Sequence, residues 1–200
     1  MLSPLGELIA AASEAGRPLL IVVAGSNGAG KSTFHAEALS GTGYPFINAD
    51  EIARDLAIWS GRAAADLAYD AMRRADELRN DLVELRASFI METVLSDTKG
   101  AKLAFFVRAQ AAGYFVLFID IRLENVDTSI ARVTQRVLNG GHDVPDDKLL
   151  ARFARTRRNA KKALAMADAG LVFDNSNPES PFRWMETWEA GRCIRKRESD

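Results

Sequence analysis

The chain has 200 residues, 48% of them hydrophobic and 26% charged, which fits one globular domain with a single sizeable core. Its 26 basic and 27 acidic residues leave a net charge of −1, so no overall field draws it to nucleic acid and a bound polyphosphate must be held by local groups. The one cysteine, Cys193, excludes an internal disulfide and fits a reducing compartment.

Residues 1–16 carry Glu7 and Glu14 and no basic region followed by an apolar segment, so no secretory leader is expected. The longest apolar runs, 19–24 and 114–119, have strand length and fall short of a bilayer span. The expectation is a cytoplasmic protein with neither membrane nor nucleic acid as partner.

In chain order, residues 5–15 show helical spacing and end at Gly16, which predicts a short helix lying on a sheet. Residues 19–24 read as the first strand and 31–39 as a helix. Thr42-Gly43-Tyr44-Pro45 reads as a turn, and Phe46-Ile47-Asn48 as a short second strand. A helix is expected from Glu51, with Asp50 as its cap. A longer one is expected over about 63–86, where Leu67, Met72, Ala75, Leu78, Leu82 and Leu85 keep a period near 3.6.

Residues 88–91 form the third predicted strand, 99–111 a helix and 114–119 the most apolar strand. Helices over 125–138 and 146–167 flank Gly140-Gly141 and Pro145, with Asp146 as the expected cap of the second. Residues 170–173 are a fifth strand, and 183–195 read as an antiparallel hairpin turning at Glu189-Ala190-Gly191. Cys193 is expected half-buried in that late strand. Alternating strands and helices with continuous apolar strands imply an α/β fold: a mostly parallel sheet with helices on both faces and a C-terminal β-hairpin.

The stretch that organises this chain is Gly25-Ser26-Asn27-Gly28-Ala29-Gly30-Lys31-Ser32, followed by Thr33. It is a complete G-x-x-x-x-G-K-[ST] phosphate loop between a buried strand and a helix, the context the motif requires. Glycines let the backbone curl and aim N–H groups at a polyphosphate, and the helix adds the positive end of its dipole. Lys31 is expected on the β- and γ-phosphates and the Ser32 hydroxyl on Mg²⁺, with ATP or GTP as the nucleotide.

In such a sheet ligands lie beyond the carboxyl ends of the strands, which selects further candidates. Asp50 follows the second strand and is the candidate general base for an incoming hydroxyl. Arg54, one turn later, shares its face and can hold an anionic substrate, or pair on the surface with Asp50 or Asp55. Glu92 follows the third strand, placed to hydrogen-bond substrate hydroxyls or to back the metal. Arg132, Arg136 and Arg152 flank the paired glycines and form a basic lid at about 132–158, which supplies charge to a transferring phosphoryl group while excluding water. Arg157, Arg158, Lys161 and Lys162 read as a solvated face, and His142 as either a phosphate contact or a turn residue. Asp174-Asn175-Ser176 either borders the nucleotide base or starts a turn, while Trp184 and Trp188 read as packing residues.

Taken together, the phosphate loop, Ile47-Asn48-Ala49-Asp50 with Arg54, Glu92-Thr93, the stretch 132–145 and Phe173-Asp174-Asn175-Ser176 resemble the zeta toxin family of phosphate-loop kinases over about residues 19–176. The resemblance implies one kinase domain over 1–200, of the P-loop NTPase type, that uses ATP or GTP to phosphorylate a sugar hydroxyl of UDP-N-acetylglucosamine. It also implies an antitoxin that covers the nucleotide site. By the same resemblance Lys31 and Ser32 bind phosphate and metal, Asp50 is the base, and Glu92 and Thr93 face the sugar nucleotide. Lid arginines among Arg132, Arg136 and Arg152 stabilise the transferred group. The competing readings are a kinase of another small hydroxyl substrate or of a nucleic-acid end, and a nucleotide-dependent binding switch with no acceptor.

Overall fold

The fold is built on strand β1 (Leu19–Gly25), every residue of which is buried. The computed structural model describes residues 3–138 and 145–198. Alternate side chains of a strand point to opposite faces, and here both faces are apolar. Leu20, Val22 and Ala24 join one core cluster, and Leu19, Ile21 and Val23 the other. Such a strand has to be covered on both sides, which places it in the middle of a sheet.

That sheet has seven strands in the order β2-β3-β1-β4-β5-β6-β7. The strands are β2 (Phe46–Ile47), β3 (Phe89–Thr93), β4 (Phe115–Arg122), β5 (Ala169–Asp174), β6 (Arg183–Glu189) and β7 (Arg192–Lys196). The first five in sequence run parallel, and β6 and β7 add antiparallel to the β5 edge. The hairpin turns at Ala190 and Gly191, both at positive φ, as a tight two-residue turn between twisted strands requires.

Helices α4 (Ala68–Glu84), α5 (Ala101–Ala111) and α7 (Asp146–Met166) cover one face, packing Ala75, Phe105, Phe106, Ala160 and Leu164 against Val22, Met91 and Phe118. Helix α1 (Ser3–Glu14) and the phosphate-loop helix cover the other through Leu5, Ala12, Phe34 and Leu39. That second helix starts as α2 (Lys31–Phe34) and widens into a π-type turn over His35–Leu39. Helices α3 (Ala49–Ser60) and α6 (Val126–Leu138) complete the set. Among the described residues no helix is long and apolar enough to cross a membrane.

Several boundaries differ from the sequence reading for physical reasons. Asn48 does not extend β2. It caps α3, its side chain accepting from the Asp50 amide at 2.9 Å, so Asp50 is released from the capping role assigned to it. The helix expected over 63–86 starts as a 3₁₀ turn (Ala64–Leu67), α4 turns Met72 outward, 46% exposed, and Leu85, just past its end, is 74% exposed. Gly100, at φ 72°, marks the start of α5.

Strands β3 and β4 run on through Thr93 and Arg122 because β1 continues to pair with them, Ala24 with Thr93 and Gly25 with Ile121. Pro145, not Asp146, is the cap residue of α7. Asp146 and Asp147 sit in its first turn, where their charge complements the helix dipole. Cys193 is exposed, because β7 is the outer edge of the sheet. Gly140, Gly141 and His142 lie outside the described residues.

Candidate active site

The loop between β1 and α2 owes its shape to three glycines, two of which other residues approach too closely for a side chain. A Cβ on Gly25 would run into the Ile121 carbonyl oxygen, and one on Gly30 would lie 2.6 Å from Asn175 Nδ2. Gly28 and Gly30 also adopt φ of 72° and 91°, a region that side chains disfavour. A turn bond from the Ala29 amide to the Ser26 carbonyl, 3.1 Å, closes the curl.

Phe34 anchors the helix that leaves the loop. Its ring is buried against Phe173 and Phe182, with centroids at 5.0 and 5.3 Å. Lys31 is 7% exposed, so its stem packs beneath the loop while Nζ donates to the Ser26 carbonyl at 3.1 Å and lies 3.6 Å from Glu92 Oε1.

Glu92 gathers this corner. Its Oε2 accepts from Ser32 Oγ at 2.7 Å and from Asn48 Nδ2 at 3.0 Å. Asn48 thereby links the carboxylate to the Asp50 amide with its other atom. Asp50 itself is exposed at the second position of α3. Arg54 is exposed as well and reaches Glu51, Nη2 to Oε1 at 3.9 Å, rather than Asp50 or Asp55 through its charge. Thr93 Oγ1 accepts from the Leu95 amide at 3.0 Å, which turns the chain out of β3.

Two side chains that pattern reading did not single out feel the same carboxylate. Burial, with Glu92 and other acids adding to it against Arg54, pushes the Glu51 carboxyl above its usual range. Burial lowers the His35 imidazole, with Glu92 opposing, and the ring stacks on Phe46 at 3.7 Å.

Of the lid candidates, Arg132 sits against the loop. Its guanidinium donates to the carbonyls of Gly28 and Ser176, each at 3.4 Å. Arg136 and Arg152 are half-buried on α6 and α7. Arg158, Lys161 and Lys162 form the expected exposed face, while Arg157 donates to the Glu124 carbonyl. Asn175 is buried and serves the loop from behind, and Trp184 and Trp188 pack against the two core clusters. Behind the loop, Asp120 is buried and ion-paired with Arg122 at 2.7 Å, which in turn reaches Glu186.

The donor set fits a magnesium nucleotide. Ser26 Oγ and Asn27 Oδ1 are buried in the loop without a partner, as expected where a ligand completes the hydrogen bonding. The Ser32 hydroxyl and the Glu92 carboxylate are hard oxygen donors of the kind Mg²⁺ takes, one or two at a time, alongside phosphates. Among the described residues no cluster of three or more His, Cys, Asp or Glu forms a self-sufficient metal cage.

A mostly parallel sheet carrying this loop at the end of β1, with an acid on the neighbouring strand β3, defines a phosphate-loop protein. The zeta toxin family model matches residues 6–180, and the chain belongs to that family. An uncharacterized protein of Haemophilus influenzae is 30% identical over 136 residues, covering 66% of this chain and 91% of its own. The crystal structure of the AvrRxo1-ORF1:-ORF2 complex with ATP superposes with a TM-score of 0.69 at 17% identity, over 88% of this chain. This chain spans 60% of that protein's length. The PezAT toxin–antitoxin system of Streptococcus pneumoniae gives a TM-score of 0.56 at 18% identity, over 84% of this chain and 71% of that one.

Proposed function

We propose that the protein is a kinase that moves the γ-phosphate of ATP or GTP to a hydroxyl of a small molecule, with a sugar hydroxyl of UDP-N-acetylglucosamine as the acceptor. The observation that carries the reading is the meeting of Lys31, Ser32, Asn48 and Glu92 at the mouth of the loop. A carboxylate there completes a metal–nucleotide site, and Asp50, whose amide Asn48 ties to it, adds what a binding switch does not need, a base for an acceptor hydroxyl.

Loop amides, the start of α2 and Lys31 hold the β- and γ-phosphates. Ser32 and Glu92 are the residues that would hold Mg²⁺, which when bound neutralises charge on the β- and γ-oxygens. Asp50 accepts the proton of the attacking hydroxyl as the new O–P bond forms and the bond from the γ-phosphorus to the β-bridging oxygen breaks. Thr93 and Arg54 flank the acceptor. Arg132, Arg136 and Arg152 belong to a lid over about 132–158 that closes within a single domain. The closed lid keeps water, the competing acceptor, away. A cytoplasmic location, where nucleoside triphosphates are plentiful, follows from the same reading, as does control by an antitoxin that covers the nucleotide cleft.

The test is transfer of label from γ-labelled ATP to a panel of UDP-N-acetylglucosamine, other sugar nucleotides, nucleosides and oligonucleotide ends. Labelled UDP-N-acetylglucosamine, lost in Asp50→Asn, supports the reading. Label on another acceptor alone removes the substrate, and release of inorganic phosphate alone turns the protein into a switch.

A further inference from the structure

Successive carbonyl oxygens of the phosphate loop are each held by a side chain. Lys31 Nζ donates to Ser26 O, Ser129 Oγ to Asn27 O at 2.6 Å, Arg132 to Gly28 O at 3.4 Å, and Asn175 Nδ2 to Ala29 O at 2.9 Å. Two of these donors, Ser129 and Asn175, come from outside the motif and are themselves buried, at 1% and 7% exposure. They stand more than a hundred residues away in sequence, on α6 and just past β5.

The consequence follows from peptide geometry. All described peptide bonds are trans, and in a planar trans peptide the carbonyl and the following N–H point to opposite sides. Drawing Asn27 O outward to α6 turns the Gly28 N–H inward. Drawing Ala29 O outward to Asn175 does the same for the Gly30 N–H. The Ala29 amide between them is occupied by the turn bond to Ser26, so within the curl these two amides face a phosphate, alongside the N–H groups that open α2. Asn175 is itself fixed, its Oδ1 accepting from the Phe182 amide at 3.3 Å and its own amide donating to the Arg122 carbonyl at 2.9 Å.

We infer that Ser129 and Asn175 are positioning residues for nucleotide binding: they grip the outer side of the phosphate loop and hold its Gly28 and Gly30 amides aimed at the triphosphate. The inference rests on the reading of the loop as a nucleotide site. A loop whose carbonyls are held in advance does not pay to reorganise when the anion arrives. The close contacts of Gly28 with α6 and of Gly30 with Asn175 belong to the same arrangement, since a side chain at either glycine would push its clamp away.

Ser129→Ala removes the hydroxyl with little change of shape. Asn175→Asp keeps the oxygen that serves Phe182 and replaces the donor to Ala29 with an acceptor. Binding of Mg·ATP and of inorganic tripolyphosphate is measured by calorimetry on the parent and both variants, beside thermal melting. Ser129→Ala is expected to bind both ligands about fivefold more weakly, the effect of losing one hydrogen bond, with a melting point close to the parent's. Asn175→Asp, which also sets a negative charge against the Ala29 carbonyl, is expected to bind more weakly still and to melt lower while remaining folded. Because calorimetry needs no acceptor, the test does not depend on the substrate.

Parent-like affinity in both variants overturns the inference. So does a loss of affinity that appears only together with a collapse in melting temperature. If Asn175→Asp does not fold, Ser129→Ala decides the matter alone. A parent that binds neither ligand fails at the earlier step and removes the nucleotide reading with it.

Discussion

Ser32 Oγ donates to Glu92 Oε2 at 2.7 Å, so the hydroxyl that follows the phosphate-loop lysine is tied to the end of the adjacent strand. The same carboxylate lies 3.6 Å from Lys31 Nζ. It therefore holds both side chains of the motif before any ligand is present. Glu92→Gln keeps the shape and removes the charge. Transfer is expected to fall roughly a hundredfold, the upper effect of losing a group that orients a metal's ligand. Metal-free ATP is expected to bind as well as before or better, since a negative charge has left the triphosphate's surroundings. Initial rates and calorimetry with and without Mg²⁺ check both halves.

Lys31 is buried where it serves the loop, and its ammonium donates to the Ser26 carbonyl and lies beside Glu92. Lys31→Ala is expected to weaken ATP binding roughly tenfold to a hundredfold, the range for a lost hydrogen bond to a charged group. Calorimetric titration reads this directly.

Phe34 holds the phosphate-loop helix to the core between Phe173 and Phe182. Phe34→Ala is expected to lower unfolding free energy by about 3–5 kcal/mol, as measured by urea denaturation. Its ring lies with Leu39 and Phe173 in the core, so the loss is read as one of packing.

Asp120 is buried, and burial pushes its carboxyl up, with Glu186 adding to the rise and Arg122 and Arg157 opposing. A carboxyl raised in the folded state favours folding most when protonated. Its contribution is thus full below the ordinary aspartate range and declines as pH rises through the folded value. Arg122→Met removes the nearest compensating charge and is expected to destabilise the protein by about 3 kcal/mol at pH 7. That deficit should shrink as pH falls and Asp120 protonates. Denaturation midpoints of parent and variant measured between pH 7 and pH 4 test the direction.

The main architecture was legible because two local signals are strong. The run Leu19-Leu20-Ile21-Val22-Val23-Ala24 can only be a buried strand, and the glycine spacing with Lys31 and Ser32 marks the loop at its end. That Glu92 lies beside the loop was legible through the rule that ligands gather at the carboxyl ends of strands. Cap identity was not, since Asn48 and Asp50 are both good caps and the choice depends on how Glu92 receives the Asn48 side chain. The exposure of Met72 on α4 and of Leu85 just past it was not legible, because an apolar period does not reveal where one sheet's cover ends. Ser129 carries no local pattern at all, and Asn175 reads from sequence only as a border of the nucleotide base or a turn start, not as a partner of the loop backbone. Their roles come from backbone atoms brought close only by the crossing of α6 and β5 behind the loop.

The most direct test of the account is phosphorus NMR of the protein with Mg·ATP and UDP-N-acetylglucosamine. The account predicts that the γ-phosphate resonance is replaced by a phosphomonoester signal coupled to a sugar proton, and that Asp50→Asn abolishes the change. A γ-phosphate signal that persists, or gives way only to inorganic phosphate, would contradict it.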